Sequence, residues 1–417
     1  MSVPRTLVPK RASMGDGAFT RNIIDVFPAA ANSQTKYGPG DRLLIQFGNY
    51  PRSFIDWSRS FIKFDLKTTT ADGAKSCRVA NGLPIFDRVV TRIGGKVIED
   101  LESYAVLEKL MNNTYKTLAD KNDNLLLGEY GVASHATVTA AQKAKHAYIK
   151  QLYAGVCNKE YLFPIHALNS GNALEFEMTM ASVAQCVIDT SADASPSYEI
   201  SNVRVQLSLL RVSDDFFERF NAASAQSDLV LPMTLHRRHQ HHISAGEVNP
   251  VLFINEPSKS LSKTMTVFRK PPTAVTTTAT SHQPLFVKSL ADSEKLLRYQ
   301  MKYGSRSFPA APLETAGNDH NVFLATALAA LDIDPLGVGS LPAMAPLYTS
   351  ADGFVVAASY EYDPKIVSGL NTAASSLPLT LEMTFSANAA SVVCETFTET
   401  FGELVIDGNG NINLSAK

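Results

Sequence analysis

Tryptophan occurs once, at Trp57, and cysteine four times, at Cys77, Cys157, Cys186 and Cys394, with no C-x-x-C pair among them. That scatter argues against a cysteine-based zinc ribbon or a paired redox centre. Two disulfides stay open on the count alone, but Cys186 and Cys394 stand in apolar runs, so buried thiols in a reducing compartment are the expectation. No apolar run reaches the ~18–20 residues of a membrane-spanning helix. The opening MSVPRTLVPKRASMG has no apolar core of the kind a signal peptide needs. A soluble chain made in the cytosol or nucleus is therefore expected. Neither sign of charge is in excess: 38 Lys and Arg stand against 40 Asp and Glu, a net of −2, which gives bulk composition no reason to wrap nucleic acid.

Chemistry is equally scarce. There is no G-x-x-x-x-G-K-[ST] or G-x-G-x-x-G loop to cradle phosphates, no H-E-x-x-H and no G-x-S-x-G. No nucleophile, base and orienting group come together. Asp332, Asp334 and Asp407 read as turn residues, and Asp214 and Asp215 as caps of a short helix. The chain reads as a non-enzyme without a cofactor or small-molecule substrate, suited to a structural or binding role.

What is present is sheet. At 417 residues the chain is long enough for two to three domains, because single cores stop growing near ~250–300 residues. Ala, Ser, Thr and Val recur where a helical protein would carry Glu, Lys and Leu. Ile62, Phe64 and Leu66 alternate with Lys63, Asp65 and Lys67, the mark of a strand with one packed face. A second extended run, Ile85 to Ile93, turns at Gly94-Gly95 into Lys96-Val97-Ile98. The period then changes to three or four over Leu101, Tyr104, Leu107, Met111, Tyr115 and Leu118, which predicts a helix with Asp100 as its cap. Leu43 to Phe47, Leu174 to Met180 and Val203 to Leu209 read as further strands, and Asp214 to Phe220 as a short helix. Trp57 reads as a packed anchor. Residues 119–160 read as a helical or looped insertion.

The low-complexity NAASAQSD, Asn221 to Asp228, marks a boundary, after which the pattern starts afresh. Thr264 to Phe268, Phe354 to Tyr362 and Leu379 to Phe385 read as strands and Glu395 to Ile406 as the last strand or two, with a tight turn at Asp407 to Gly410; Leu296 to Met301 is an apolar piece with no element assigned. Residues 308–350 read as surface connections holding one helical piece, Phe323 to Leu331. The layout is a flexible basic arm over 1–20, one β unit over 21–220 and a second over 229–417. Alternating strands with one polar face favour packed antiparallel sheets, and the lack of regular helices between strands disfavours a parallel α/β fold.

The densest polar cluster is LHRRHQHHISAGE. His236, His239, His241 and His242 are weak metal candidates, since strand alternation splits them between two faces. The other readings are an exposed basic strand or loop, with Arg237 and Arg238, that meets a partner, and plain solvated surface. These histidines would gain charge below pH ~6.5 and so tune an interface. Arg5, Lys10 and Arg11 of the arm are the other assembly candidates.

Three pieces, Ser60 to Gly73, Asn81 to Gly95 and Tyr104 to Met111, together with LFPIHALNSGNALEFEMTM and YEISNVRVQLSLLRVSDDFF, carry a family likeness. The first three resemble the early part of double jelly-roll major capsid proteins of double-stranded DNA viruses, of the polinton-like virus and virophage type, and the last two are similar to the strands that close the first barrel in that family. The resemblance implies an all-β fold of two consecutive eight-stranded antiparallel jelly-roll barrels with long decorated loops and a few short helices. It also implies a homotrimer of pseudo-sixfold outline in an icosahedral virion shell. The implied partners are further copies, neighbouring capsomers, penton and minor capsid or cement proteins, with an internal membrane or the packaged genome as candidates. The implied location is the virion capsid, after synthesis in the host cytoplasm and with the nucleus as a candidate assembly site. A minor capsid or penton protein, a receptor- or carbohydrate-binding β-sandwich, and an enzyme on a cupin-like barrel with metal at the histidine cluster are the competing readings.

Overall fold

The computed structural model describes residues 19–29, 35–69, 77–79, 84–115, 146–150, 152–168, 171–189, 197–224, 228–271, 295–314, 326–327, 329–331, 354–361, 369–374, 377–408 and 410–416. The first half contributes β1 (Phe19–Val26), β2 (Lys36–Tyr37), β3 (Arg42–Phe47), β4 (Ser53–Ile55), β5 (Phe61–Thr69), β6 (Cys77–Val79), β7 (Phe86–Ile93), β8 (Lys96–Glu102), α1 (Tyr104–Tyr115), β9 (His146–Lys150), β10 (Leu174–Met180), α2 (Val183–Cys186), β11 (Val187–Asp189), β12 (Ser197–Val212) and α3 (Asp214–Ser224). The second contributes β13 (Leu229–Ile243), β14 (Val251–Ile254), β15 (Leu261–Arg269), β16 (Leu296–Tyr303), β17 (Arg306–Glu314), β18 (Val356–Ser359), β19 (Leu379–Phe385), β20 (Val392–Ile406) and β21 (Ile412–Ala416).

These strands form two pairs of facing antiparallel sheets. In the first half the order is β1-β12-β5-β9 opposite β3-β10-β7-β8, with β2 and β4 added on β12 and a separate β11-β6 ribbon. In the second it is β13-β20-β15-β18 opposite β14-β19-β16-β17, with β21 added on β20. Setting the small additions aside, each half has eight strands in the same order, 1-8-3-6 facing 2-7-4-5. That is the jelly-roll topology, and it occurs twice.

Sequence alternation explains why each sheet closes over a core. Along β10 the apolar Leu174, Phe176, Met178 and Met180 are buried while Glu175, Glu177 and Thr179 are half-exposed, and β19 repeats the pattern. Phe176 meets Phe47 edge-on at 5.3 Å between ring centroids, and Trp57 lies 6.1 Å from Phe47, so the single tryptophan is a core anchor. Phe268 and Phe385, 5.6 Å apart and edge-on, link the two sheets of the second barrel through its core. Gly94 turns the chain at φ 57°, and a Cβ there would run into the Asn172 carboxamide. Only glycine fits that corner.

Several expectations are corrected. Asp100 does not cap α1; it lies within β8, where its carboxylate accepts from Arg88 Nε at 2.7 Å. Leu101 also belongs to β8, and Leu118 lies outside the described residues. Asp214 and Asp215 sit in the first turn of α3, whose first free N–H groups are met by Ser213: Phe216 N donates to its hydroxyl and Phe217 N to its carbonyl. Asp214 pairs with Arg52 and Asp215 with Arg219. The 119–160 stretch contains β9, a strand of the six-stranded sheet. Residues 306–314, read as loop in part, form β17 despite Pro309 and Pro312. It is an edge strand, where a missing N–H costs no ladder bond. Helix α3 runs to Ser224, into the expected boundary segment. Residues 70–76, 272–294 and 332–353 lie outside the described residues, as do residues 1–18 with Arg5, Lys10 and Arg11.

Candidate functional site at the seam between the barrels

The basic cluster is the middle of β13, and strand alternation divides it. His236 and Arg238 project from the outer face of the second barrel's five-stranded sheet. Their ladder partners on that face are Glu399 and Phe397 of β20, beside Lys263 and Met265 of β15. An outer face normally meets water, yet every one of β15's nine residues is buried, as are Glu395, Phe397 and Glu399. Part of the cover is the first barrel, whose β8 and the Gly155 turn lie against β13.

Fixed hydrogen bonds join the two barrels here. The buried Glu99 carboxylate of β8 accepts from Gly155 N at 2.7 Å and from His236 N at 2.9 Å, so one side chain ties both barrels' backbones. Glu395 accepts from Arg238 Nε at 2.9 Å, Arg269 Nη2 at 2.6 Å and, across the seam, Ser103 Oγ at 3.2 Å. Arg238 also reaches Glu102 of β8 at 3.2 Å. Lys96 donates to Ile412 O at 2.9 Å, and Asn172 to Gly410 O at 2.7 Å. Gly155 permits the approach: a Cβ on it would lie 2.8 Å from Thr234 O.

Charges in so dry a place must be compensated. Burial drives the Glu395 carboxyl upward, but Arg269 and Arg238 overcome it and hold it below its ordinary value. Glu399 is likewise held down against burial by His236 and Lys263, whose nitrogens lie 3.5 and 3.7 Å from it. His236 is the converse case: burial would lower its imidazole, and Glu399 with Glu99 raises it instead. Glu99 is raised by burial, which His236 and the two N–H donors only partly offset.

The other half of the cluster does different work. Arg237 and His239 both contact Glu256, at 3.2 and 3.1 Å, and those contacts with Thr398 hold its carboxyl down against burial. His241 is half-buried, its imidazole lowered by burial and by His239, and His242 is exposed. The four histidines therefore do not converge, and among the described residues no group of three His, Cys, Asp or Glu side chains is placed to hold a metal. Arg238 is not a free basic side chain but a bolt within the chain; Arg237 is the more exposed of the two, at the rim of a cleft of about 480 Å³ that also borders Val97, Glu102 and Glu256. Of the cysteines, Cys157 and Cys394 are buried free thiols, and Cys186 is a buried thiol donating to Ser182 O at 3.3 Å.

Sequence reading missed the acidic half of the seam. Glu99 and Glu102 look like ordinary strand polar residues, and Ser103 like a loop. A signal existed in ETFTETFGE: Glu395, Phe397 and Glu399 fall on one strand face, and carboxylates sharing a face with a large ring mark charges covered by another part of the structure.

No protein-family model matches this sequence, and no curated protein matches it either. Solved structures do. A quasi-atomic model of the PBCV-1 virus capsid is similar over 95% of this chain and 96% of that one, with 12% identity and a TM-score of 0.65. The Faustovirus major capsid protein is similar over 96% of this chain and 92% of its own, with 8% identity and a TM-score of 0.59. The mavirus major capsid protein is similar over 99% and 92%, with 10% identity and a TM-score of 0.54. The fold is the double jelly roll, end to end.

Proposed function

We propose that this double jelly roll is the major building unit of a virion shell, a capsid protein that self-associates into trimeric capsomers of pseudo-sixfold outline in an icosahedral lattice. The observation that carries the reading is the exact repetition of one eight-stranded barrel within one chain, over the full length that the similar viral capsid structures cover. Two equivalent barrels per chain give three chains six barrels, so threefold symmetry approximates a hexagonal tile that closes its own contacts. The buried seam fits that role. A shell unit must transmit load without its halves rotating, and Glu99, Arg238 and Glu395 fix the barrels against each other. The division into 21–220 and 229–417, and the basic arm 1–20 reaching neighbouring subunits, belong to this proposal.

Light scattering on the purified chain after size exclusion tests it, together with electron micrographs of the same fraction. The expected result is a trimer of about three chain masses with a hexagonal outline. A clean monomer at micromolar concentration sinks the reading.

A further inference from the structure

We propose that helix α3, which joins the two barrels, is an acid-released strap, held on the first barrel by the neutral imidazole of His166 and let go when that ring takes up a proton. The device belongs to a single chain and stands apart from the shell reading.

The sequence gives α3 little to hold it down. Its apolar anchors are Phe216, Phe217 and Phe220, of which Phe217 and Phe220 share a face at a spacing of three. All three are only half-buried, and no residue from Asp214 to Ala222 is fully buried. Docking therefore rests on a few ring contacts. Phe216 meets Phe19 of β1 at 5.7 Å between centroids. Phe217 and Phe220 close edge-on against the imidazole of His166, at 5.0 and 5.4 Å, and Phe54 of β4 closes a third side at 4.6 Å. Phe54 and Phe220 also touch, at 5.4 Å. The imidazole, carried on the short turn Ile165–Ala167, is the hub through which most of the helix's aromatic contact passes.

That hub holds only while it is neutral. His166 Nδ1 lies 2.9 Å from Ser53 O, an atom that can only accept, so Nδ1 carries the proton and Nε2 is bare. Nε2 is buried and meets no hydrogen-bonding group among the described residues. A second proton there would add a charge and a donor with nothing to receive either. Burial accordingly lowers the imidazole's proton affinity, and the Ser53 carbonyl offsets only part of it. The charged side chains on the elements packed around it are engaged elsewhere. Beside β4, Asp56 pairs with Arg21, and Arg52 pairs with Asp214 of α3. Within α3, Asp215 pairs with Arg219 and Glu218 is exposed, as is Arg211 opposite Ser53 on β12. The sign follows from the lowered value. Once α3 lifts and water reaches the ring, the imidazole returns to about 6.5. Docking thus has its full strength above pH ~6.5 and weakens as pH falls toward the docked value, roughly tenfold per pH unit within that window. Release bares Phe54, Phe217 and Phe220, while Glu99 and Glu395 still tie the barrels together at the seam.

Hydrogen exchange of the full-length chain, read by mass spectrometry at pH 7.5, 6.0 and 5.0 and corrected for the intrinsic pH dependence of amide exchange, tests the strap. Peptides from α3 are compared with peptides from β12 in the same sample, and size exclusion at each pH matches the oligomeric state. Wild-type α3 is expected to lose protection relative to β12 as pH falls, by up to roughly tenfold per unit below pH ~6.5. His166→Phe keeps a ring among the three phenylalanines and cannot titrate, so its α3 should be as protected at pH 5.0 as at 7.5. Phe217→Ser/Phe220→Ser opens the cluster without touching the histidine and should leave α3 unprotected at every pH. Circular dichroism checks each fold. If His166→Phe does not fold, His166→Asn takes its place: it can still donate to the Ser53 carbonyl, and its α3 should show lower protection that is constant with pH. The strap is overturned by wild-type protection that stays constant across the range, by an α3 already unprotected at pH 7.5, by an acid loss that persists in the non-titrating variant, or by an α3 still protected in the double serine variant.

Discussion

Replacing Glu395 by glutamine keeps the shape of the side chain and removes its charge. Glu395 is fully buried and accepts from Arg238, Arg269 and Ser103, so the variant leaves two guanidinium groups close together without the carboxylate that both of them bond. Breaking one partner of a buried ionic group costs about 3–5 kcal/mol. For a barrel of this size each kcal/mol moves the melting temperature by roughly 2–4 °C, so a fall on the order of 6–20 °C is expected in a thermal melt followed by circular dichroism. The pH dependence gives an independent check. Glu395 is depressed in the folded state, so its contribution is present above the ordinary carboxylate value of about 4.3 and is lost as pH falls through the lower folded value. The gap between wild type and variant should therefore be widest near neutrality and narrow in acid. A loss below about 1 kcal/mol at pH 7 is what an exposed pair would give, and it would refute the claim that the seam is dry. Adding Arg269→Met to the Glu395→Gln variant should recover part of the loss, because one of the two stranded guanidinium groups is gone and the other, Arg238, keeps Glu102.

Three further outcomes are expected. His236 is raised in the folded chain, so the stability it adds is complete below pH ~6.5 and lost as pH climbs through its folded value; melts of wild type should weaken on the alkaline side, and those of His236→Gln should stay flat. Gly155→Ala places a methyl 2.8 Å from Thr234 O, a backbone atom with little room to move, and should cost about 1–3 kcal/mol and loosen the two barrels, read by faster proteolysis between them. Phe176→Ala empties the middle of the Phe47–Trp57 cluster at a cost of about 3–5 kcal/mol, with a red shift in the fluorescence of the single tryptophan; an unshifted spectrum would place Trp57 outside that core.

Much of the sheet framework was legible because alternation is a local property. Leu174 to Met180 and Leu379 to Phe385 announce a strand and its buried face without reference to anything distant, and the Gly94-Gly95 corner is set by two residues. The strands that escaped notice are those whose local signals point elsewhere. In β17 two prolines read as loop, and only its place at a sheet edge reconciles them with a strand. In β9 the residues His146 to Lys150 follow a helical-looking stretch, and pairing with β5 decides their conformation.

The site was less legible, for a reason of the same kind. Sequence determined by itself that this is a sheet protein built in two similar halves, with a basic cluster from His236 to His242 early in the second. Whether that cluster faced solvent, a metal or a partner was decided only when the chain folded and laid β8 and Gly155 against it. Glu99 and His236 are separated by well over a hundred residues. Local alternation says which side chains share a face of a strand, but not whether water or another barrel lies over that face, because the covering surface comes from a distant part of the chain.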